Sequence, residues 1–441
     1  MQHRRGWIAL FLFTLAMINY VDRGALSFAA GPIARELGLS PVTLGYVFSS
    51  FLWSYVILLL PAGMLVDRYG AKKVAGCGIG LWSLATAATG LIWSIPALIG
   101  TRLVMGAGEA TTMPAGNRVI REWIPAGERG MLNSIFSGGS YAGPAVCALV
   151  AGPIIAAFGW RVLFFVTGGV GIVWLICWQI WFAKPEEASW LGDAERQKII
   201  AERGARKVDF DHTGEKPGLL KLLGSGPTLW GVALTQGCNV YSQYLFLTWL
   251  PSYLQSSRGL TIITTGIYVA IPYVIAVGLC LLTGRASDRL LRGDVGGGRR
   301  RYMIACGLML AAVIMVAPLV SSVWLILGLI TLSLTGLASA SSLNFALLND
   351  LLPKPRDVGI ATAFMVLGGN SFGLIAPIVT GYVIAITGSY NMAFVIAGGL
   401  LVIGAVSTLT LTRHPIGERI ASGGLPAASG TQGALLLHAD N

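Results

Sequence analysis

The chain has 441 residues, of which 54% are hydrophobic and 12% charged, and its mean hydropathy is +0.70. So little polar surface cannot enclose a water-soluble core, which excludes a soluble globular protein and implies a polytopic membrane protein. The net charge of +11 does not mark a nucleic-acid surface, because the basic residues cluster in short segments between apolar runs, a topogenic pattern.

Twelve apolar runs approach the ~20 residues an α-helix needs to cross the hydrocarbon. Six centre on residues 7–30, 43–66, 74–93, 97–118, 131–157 and 161–183, and six on 228–254, 263–287, 302–320, 323–348, 357–385 and 390–412. The first could pass for a secretory signal, since His3, Arg4 and Arg5 precede it, but it is long, contains Asp22 and Arg23, and is followed by further spans. It reads as an uncleaved first span. The fold expected is all-α, with twelve transmembrane helices in two pseudo-symmetric six-helix bundles. The first bundle is placed at 1–183, a central loop at 184–227, the second bundle at 228–414, and a disordered tail at 415–441.

Lysine and arginine set the orientation, because short basic loops stay on the cytoplasmic side. Arg68, Lys72 and Lys73, then Arg118, Arg121 and Arg129, the basic central loop, and Arg285, Arg289, Arg292 and Arg299 to Arg301 all fall on the side of the termini. The opposite side holds only Arg35, Arg161 and Arg258. Both termini are expected in the cytoplasm. Within the central loop, Asp193 to Arg203 reads as a short amphipathic helix capped by Asp193. The six cysteines lie in apolar runs without paired spacing and read as packing residues.

Four ionisable residues interrupt the apolar runs: Asp22 and Arg23 in the first, Arg102 and Glu109 in the fourth. Each costs about 2.5–3.5 kcal/mol to place in a bilayer on insertion scales, which makes them functional-site candidates. Asp22 and Arg23 are consecutive, so their side chains point about 100° apart and only one can face a central cavity fully. Arg102, Gly106 and Glu109 share one face at i, i+4 and i+7, with Gly106 expected to leave open space between the charged chains. Two arginines and two carboxylates sum to zero, so an admitted monoanion leaves the site at minus one and protonation of Asp22 or Glu109 restores neutrality. Paired structural salt bridges are the bland alternative.

An internal repeat ties the two sets of runs together. Gly63 to Lys73 reads GMLVDRYGAKK and Gly284 to Gly293 reads GRASDRLLRG, each at the same end of the second run of its set. With Gly63, Asp67, Arg68, Gly70 and Lys72 in the loop, and Gly284, Asp288 and Arg289 in the second copy, the chain resembles the major facilitator superfamily. The second copy departs from the pattern at Leu291. The resemblance implies that Asp67 latches one conformation by accepting hydrogen bonds from helix ends across the interface between bundles.

NYVDRGALSFA at Asn19 to Ala29, YVFSSFLWSY at Tyr46 to Tyr55 and RLVMGAGEATTMPAGNR at Arg102 to Arg118 together look like the anion:cation symporter family. That resemblance implies a secondary transporter importing a small organic monoanion, a sugar-acid-like carboxylate, with protons by alternating access. Asp22 and Glu109 match the proton-coupling acids, and Arg23 and Arg102 the arginines that bind or orient the carboxylate. Tyr55, Gln236, Ser339 and Asn370 match substrate-contacting positions, with Ser341 and Ser342 beside Ser339. Where sugar-acid importers have a glutamine and an asparagine, this chain has Ser140 and Val366, which implies a smaller or less hydroxylated substrate. Of the other polar residues in the seventh run, Asn239 shares a face with Gln236, whereas Tyr241 and Tyr244 fall on another.

A proton-driven exporter is the sharpest rival. Gly130, Gly139, Gly143 and Pro144 follow an antiporter spacing whose last two glycines are replaced by Cys147 and Ala148. A non-transporting sensor would need a signalling domain. An enzyme is disfavoured because all four histidines, His3, His212, His414 and His438, lie in the termini or the central loop. No metal-ligand spacing is present, no cofactor is expected, and no nucleic-acid partner is implied. The expected partners are a carboxylate, protons and the lipid bilayer. The expected setting is a bacterial inner (plasma) membrane, with the protein monomeric.

Overall fold

The structure is a computed structural model in which residues 5–124, 129–188, 191–193, 196–197, 199–200, 223–224, 226–290, 300–352 and 358–416 are described. Among them there is no β-strand. The first set of runs forms α1 (Arg5–Leu37), α2 (Pro41–Tyr69), α3 (Ala71–Thr89), α4 (Ile95–Glu109), α5 (Thr112–Trp123), α6 (Arg129–Phe158) and α7 (Trp160–Trp181). The second set forms α8 (Thr228–Arg258), α9 (Ile262–Leu290), α10 (Arg300–Ala312, prolonged by a 3-10 segment Val313–Leu319), α11 (Val323–Asp350), α12 (Val358–Thr387) and α13 (Asn391–Leu411).

Local chemistry places the ends. Ser40 accepts a hydrogen bond from the Thr43 amide at 3.1 Å, and Pro41 follows at the first helical position, which starts α2 sharply. Gly259, at φ 67°, closes α8 in the left-handed conformation that glycine adopts without strain. The fourth run, which reads as one span, is broken into α4 and α5 directly after Glu109. Pro114 explains the break: it has no amide hydrogen to offer the carbonyl one turn earlier, at Ala110. The Thr111 amide and hydroxyl both turn back to the Gly108 carbonyl instead, at 3.2 and 2.9 Å.

Among the described residues, nine helices are long and apolar enough to span a membrane on length and composition alone. The third, fourth and seventh runs are helical but fall outside that group. For α8 the reason is position: most of its residues are buried by neighbouring helices, so it is spared the need for lipid-facing apolar side chains.

Within the first bundle α1 packs on α6, α3 on α7, and α4 on both α2 and α3. The second repeats the scheme, with α8 on α12, α10 on α13, and α11 on both α9 and α10. The bundles meet where α2 lies on α12, α6 on α9 and α1 on α8. A Cβ at Gly45 would sit 2.6 Å from the Pro377 carbonyl oxygen, and one at Gly381 2.5 Å from that of Pro41. Gly152 makes the same approach to Ile262, at 2.8 Å, and Gly266 to Ala148. All four glycines lie toward the end bearing the α1–α2 and α8–α9 turns, so backbone there meets backbone across the seam.

The hydrogen bonds between bundles among the described residues fall on the same side, from mid-span to that turn end. Ser27 donates to the Leu247 carbonyl at 2.6 Å and Ser49 to the Leu374 carbonyl at 2.8 Å, while the hydroxyls of Tyr46 and Tyr382 lie 3.4 Å apart. The central-loop helix is seen in part: Arg196 pairs with Asp193 at 2.7 Å, and residues 196–197 and 199–200 are helical. The expected tail beyond residue 416 and residues 201–222 of the central loop lie outside the described residues.

Candidate functional site

Asp22 and Arg23 leave α1 in different directions, as consecutive helical residues must. Arg23 points to the seam between bundles. Its Nε donates to Glu109 Oε2 at 2.7 Å, and its Nη1 donates to the hydroxyl of Tyr244, on α8 of the other bundle, at 3.0 Å. Its guanidinium carbon also lies over the rings of Tyr20, Phe51 and Tyr55, 4.7, 4.9 and 5.1 Å from their centres. Cation–π attraction of this kind is strongest where water is excluded, and Arg23 is 8% exposed. Glu109 is fully buried at the C-terminal end of α4, where helix carbonyls disfavour a negative charge, so Arg23 is its main electrostatic support.

Asp22 points the other way, into the first bundle. Trp82 on α3 donates its indole N–H to Asp22 Oδ2 at 3.2 Å, and Thr167 on α7 lies beside the carboxylate. Arg102 occupies the same compartment. Its Nη2 donates to the Thr89 hydroxyl at 2.9 Å, and its guanidinium lies over Phe164 at 5.5 Å. Arg102 and Asp22 are within electrostatic reach, but no direct ion pair joins them. Asp22 Oδ1, Arg102 Nε and Glu109 Oε1 are buried without a hydrogen-bond partner. A site with an orphaned acceptor on each acid and an orphaned donor on one arginine has capacity for protons or water that the side chains do not use.

The four charges are therefore gathered, with Arg23 and Glu109 in direct contact and Asp22 and Arg102 set deeper in the first bundle, both within electrostatic reach of Glu109. Arg102, grouped with Arg23 on the carboxylate in the sequence reading, turns from the seam toward α3 and α7. Gly106 also differs from expectation: it leaves no open space between Arg102 and Glu109, because the Phe51 carbonyl and Ser54 hydroxyl of α2 pack against its Cα. Its smallness lets α2 and α4 approach.

Tyr55 joins the Arg23 group directly. In the second bundle Gln236 is engaged internally, donating to Ser341 Oγ at 3.1 Å and accepting from Asn344 Nδ2 at 3.1 Å. Asn239 donates to the Leu337 carbonyl at 2.9 Å, Ser339 shares a hydrogen bond with Thr283 at 2.8 Å, and Asn370 donates to its own helix at Val366. Ser140 is buried on α6. Gly139 and Gly143, part of the antiporter-like spacing, accommodate the backbone of α1 at Phe13 and Met17.

The loop signature follows α2. Asp67 is largely exposed and pairs with Arg118 of α5 at 3.4 Å, while Arg118 holds Glu122 at 2.6 Å. Asp67 is thus bonded within its own bundle here, rather than across the interface. Arg68 lies over Tyr69, Gly63 has open space around it, and Gly70 takes φ 85° between α2 and α3. Asp288 and Arg289 continue α9, and their side chains lie outside the described residues.

Trp82, Thr89, Thr167, Tyr20, Phe51 and Asn344 were not singled out by the sequence reading. Trp82 carried the clearest missed signal, a polar-tipped aromatic in the middle of an apolar run, where its N–H needs an acceptor.

Two six-helix bundles with one repeated pairing scheme, meeting at a charged seam, define a membrane carrier rather than an enzyme. The chain belongs to the Major Facilitator Superfamily, whose sequence profile matches residues 12–296 and 294–437. It is 33% identical over 421 residues to the probable galactarate/D-glucarate transporter GudP of Escherichia coli K12, covering 92% of this chain and 93% of that one. It is 31% identical over 416 residues to the hexuronate transporter of Bacillus subtilis, covering 93% and 95%, and 31% identical over 416 residues to the D-galactonate transporter of Escherichia coli O6:H1, covering 92% and 96%. Among solved structures, an inward-facing, unoccupied bacterial homolog of the lysosomal transporter Spinster superposes with TM-score 0.76 at 18% identity, covering 96% of this chain and all of that one. A D-xylose–proton symporter gives 0.70 at 16% identity, covering 94% and 99%. These two show the shared fold.

Proposed function

We propose that the protein imports a small organic monoanion, a sugar-acid-like carboxylate, by proton symport through alternating access. The observation that carries this reading is the ion pair Arg23–Glu109, set at the seam and tied by Tyr244 to the opposite bundle. A carboxylate arriving at Arg23 competes with Glu109 for the same guanidinium. Glu109, buried and at a helix C-terminus, then loses its support, and taking up a proton removes the uncompensated charge. Anion and proton are linked because both act on one arginine.

Arg23 is the buried cation that faces the seam, and the buried polar residues of the second bundle are neutral amides and hydroxyls. One carboxylate is matched by this arrangement and a second is not. Asp22, with its free Oδ1 beside Arg102, is the second proton acceptor, enclosed in the first bundle. Relatives named as transporters of galactarate, D-glucarate, hexuronate and D-galactonate support a sugar acid as cargo.

Cross-bundle contacts concentrate at the turn end. With the termini in the cytoplasm of a bacterial inner membrane, as the basic loops imply, this is the inward-facing arrangement. The test is uptake into oriented proteoliposomes of radiolabelled D-galactonate, D-glucarate and D-galacturonate, with a pH dye inside. External acid should drive accumulation of at least one anion with matching internal acidification. Expulsion of the anion against an inward proton gradient would establish the exporter instead, and anion movement with no proton flux would overturn coupling.

A further inference from the structure

Among the described residues, the phenol of Tyr244 is the one side chain of the second bundle that hydrogen-bonds a member of the charged cluster. It accepts from Arg23 Nη1 at 3.0 Å. Its own O–H has no acceptor among the described residues. The side chain is 4% exposed, and its ring is fixed from two sides: it lies tilted against Phe51 at 6.1 Å, and a Cβ at Gly373 of α12 would come within 2.7 Å of it. Most other bonds across the seam run from a serine to a backbone carbonyl nearer the turn end. They do not touch the cluster.

A neutral phenol oxygen is a weaker acceptor for a guanidinium than a carboxylate, whose charge-assisted bonds are roughly twice as strong. An anion at Arg23 therefore takes the Nη donor from Tyr244. Released, the phenol need not move far to reverse its role, because its unused proton then faces a negatively charged acceptor. The second bundle is tied to Arg23 directly in the empty carrier and through the anion in the loaded one.

Resting on the carrier reading above, we infer that Tyr244 is a substrate-binding residue: it holds the anion's place on Arg23 when the site is empty and donates to the carboxylate when the site is filled. The neighbouring Tyr55 belongs to the same bundle as Arg23 and cannot provide this link between bundles.

The experiment compares wild-type and Tyr244→Phe proteins in proteoliposomes, with D-galactonate, D-glucarate and D-galacturonate as probes, measuring KM and maximal rate in counterflow and melting temperature in detergent. The phenylalanine keeps the ring packed against Phe51 and Gly373, so the melting temperature should stay within about 2 °C. KM for the carried anion should rise about tenfold, the loss of one hydrogen bond to a charged group, with the maximal exchange rate changed by less than about threefold. In a double-mutant cycle with Arg23→Lys, the KM effects should fall short of multiplicative, since in the loaded site both side chains act on the one carboxylate. A KM within about twofold of wild type overturns the inference, as do strictly multiplicative effects in the cycle. If Tyr244→Phe melts early, the cycle is run with Tyr244→His and the same two outcomes decide. Failure of the wild type to carry any of the three anions would instead remove the carrier reading on which the inference stands.

Discussion

The two bundles share a pairing scheme but not a chemistry. The first encloses Asp22, Arg23, Arg102 and Glu109, while the buried polar side chains described in the second are hydroxyls and amides that bond to backbone carbonyls and to one another. Backbone pseudo-symmetry therefore does not distribute function evenly. Charge costs a great deal in a membrane, and concentrating it in one bundle lets opposite charges compensate at short range, leaving the other bundle to supply shape and neutral contacts. The turn-end surfaces differ in the same sense. Arg161 grips Glu36 through two hydrogen bonds of 2.8 and 2.6 Å in the first bundle, whereas Arg258 in the second bonds the neutral Tyr253 hydroxyl and the backbone carbonyls of Val320 and Ser321.

The largest effect should come from removing the cation at the seam. Arg23→Ala should lower anion uptake by more than about 100-fold, because Glu109 is left buried without its partner and the anion without its anchor, whereas Gln236→Ala should cost less than about tenfold. Equal losses from the two would break the division between charged and neutral bundles, and initial uptake rates decide it.

Next in size is Glu109→Gln, which keeps shape and hydrogen bonding but cannot take a proton. Exchange of anion for anion should persist within about fivefold, while accumulation driven by a pH gradient should vanish. Measuring both modes on one preparation separates coupling from binding.

A smaller effect is expected at the seam glycines. Gly266→Val would drive side-chain atoms into the Ala148 carbonyl, favouring opening at the turn end. A cysteine placed at Ser49 should then react several-fold faster with a membrane-impermeant thiol reagent added from that side. Unchanged labelling would show that the close backbone contact does not control the opening.

The smallest is Arg161→Ala. Its pair with Glu36 is partly exposed and screened by water, so the loss should be no more than about a few degrees of melting temperature, with KM unchanged.

Much of the fold was legible because bilayer thickness, basic-loop asymmetry and the repeated Asp67-Arg68 and Asp288-Arg289 pairs all act at the level of sequence. The divergence of Asp22 and Arg23 was legible too, from helical geometry alone. The destination of Arg102 was not, nor was the break after Glu109: helical spacing places Arg102 on the face of Glu109, but the pocket formed by Thr89, Phe164 and Asp22 decides where it turns. Pro114 held the clue to that break. Tyr244 was passed over in favour of Gln236 because a face-based reading assumes one polar side per helix, and α8, buried by neighbours along most of its length, has polar residues satisfied in several directions. Asp67 bonding within its own bundle reflects the conformation, since the two bundles meet toward the opposite end.

The claim that anion and proton share Arg23 is tested most directly by recording both fluxes at once in proteoliposomes containing wild-type or Glu109→Gln protein, with the carried sugar acid as probe. The account predicts a fixed proton-to-anion ratio for the wild type across a range of gradients, and loss of proton-driven accumulation with surviving exchange in the variant. Wild-type anion flux without accompanying protons, or unimpaired proton-driven accumulation by Glu109→Gln, would contradict it.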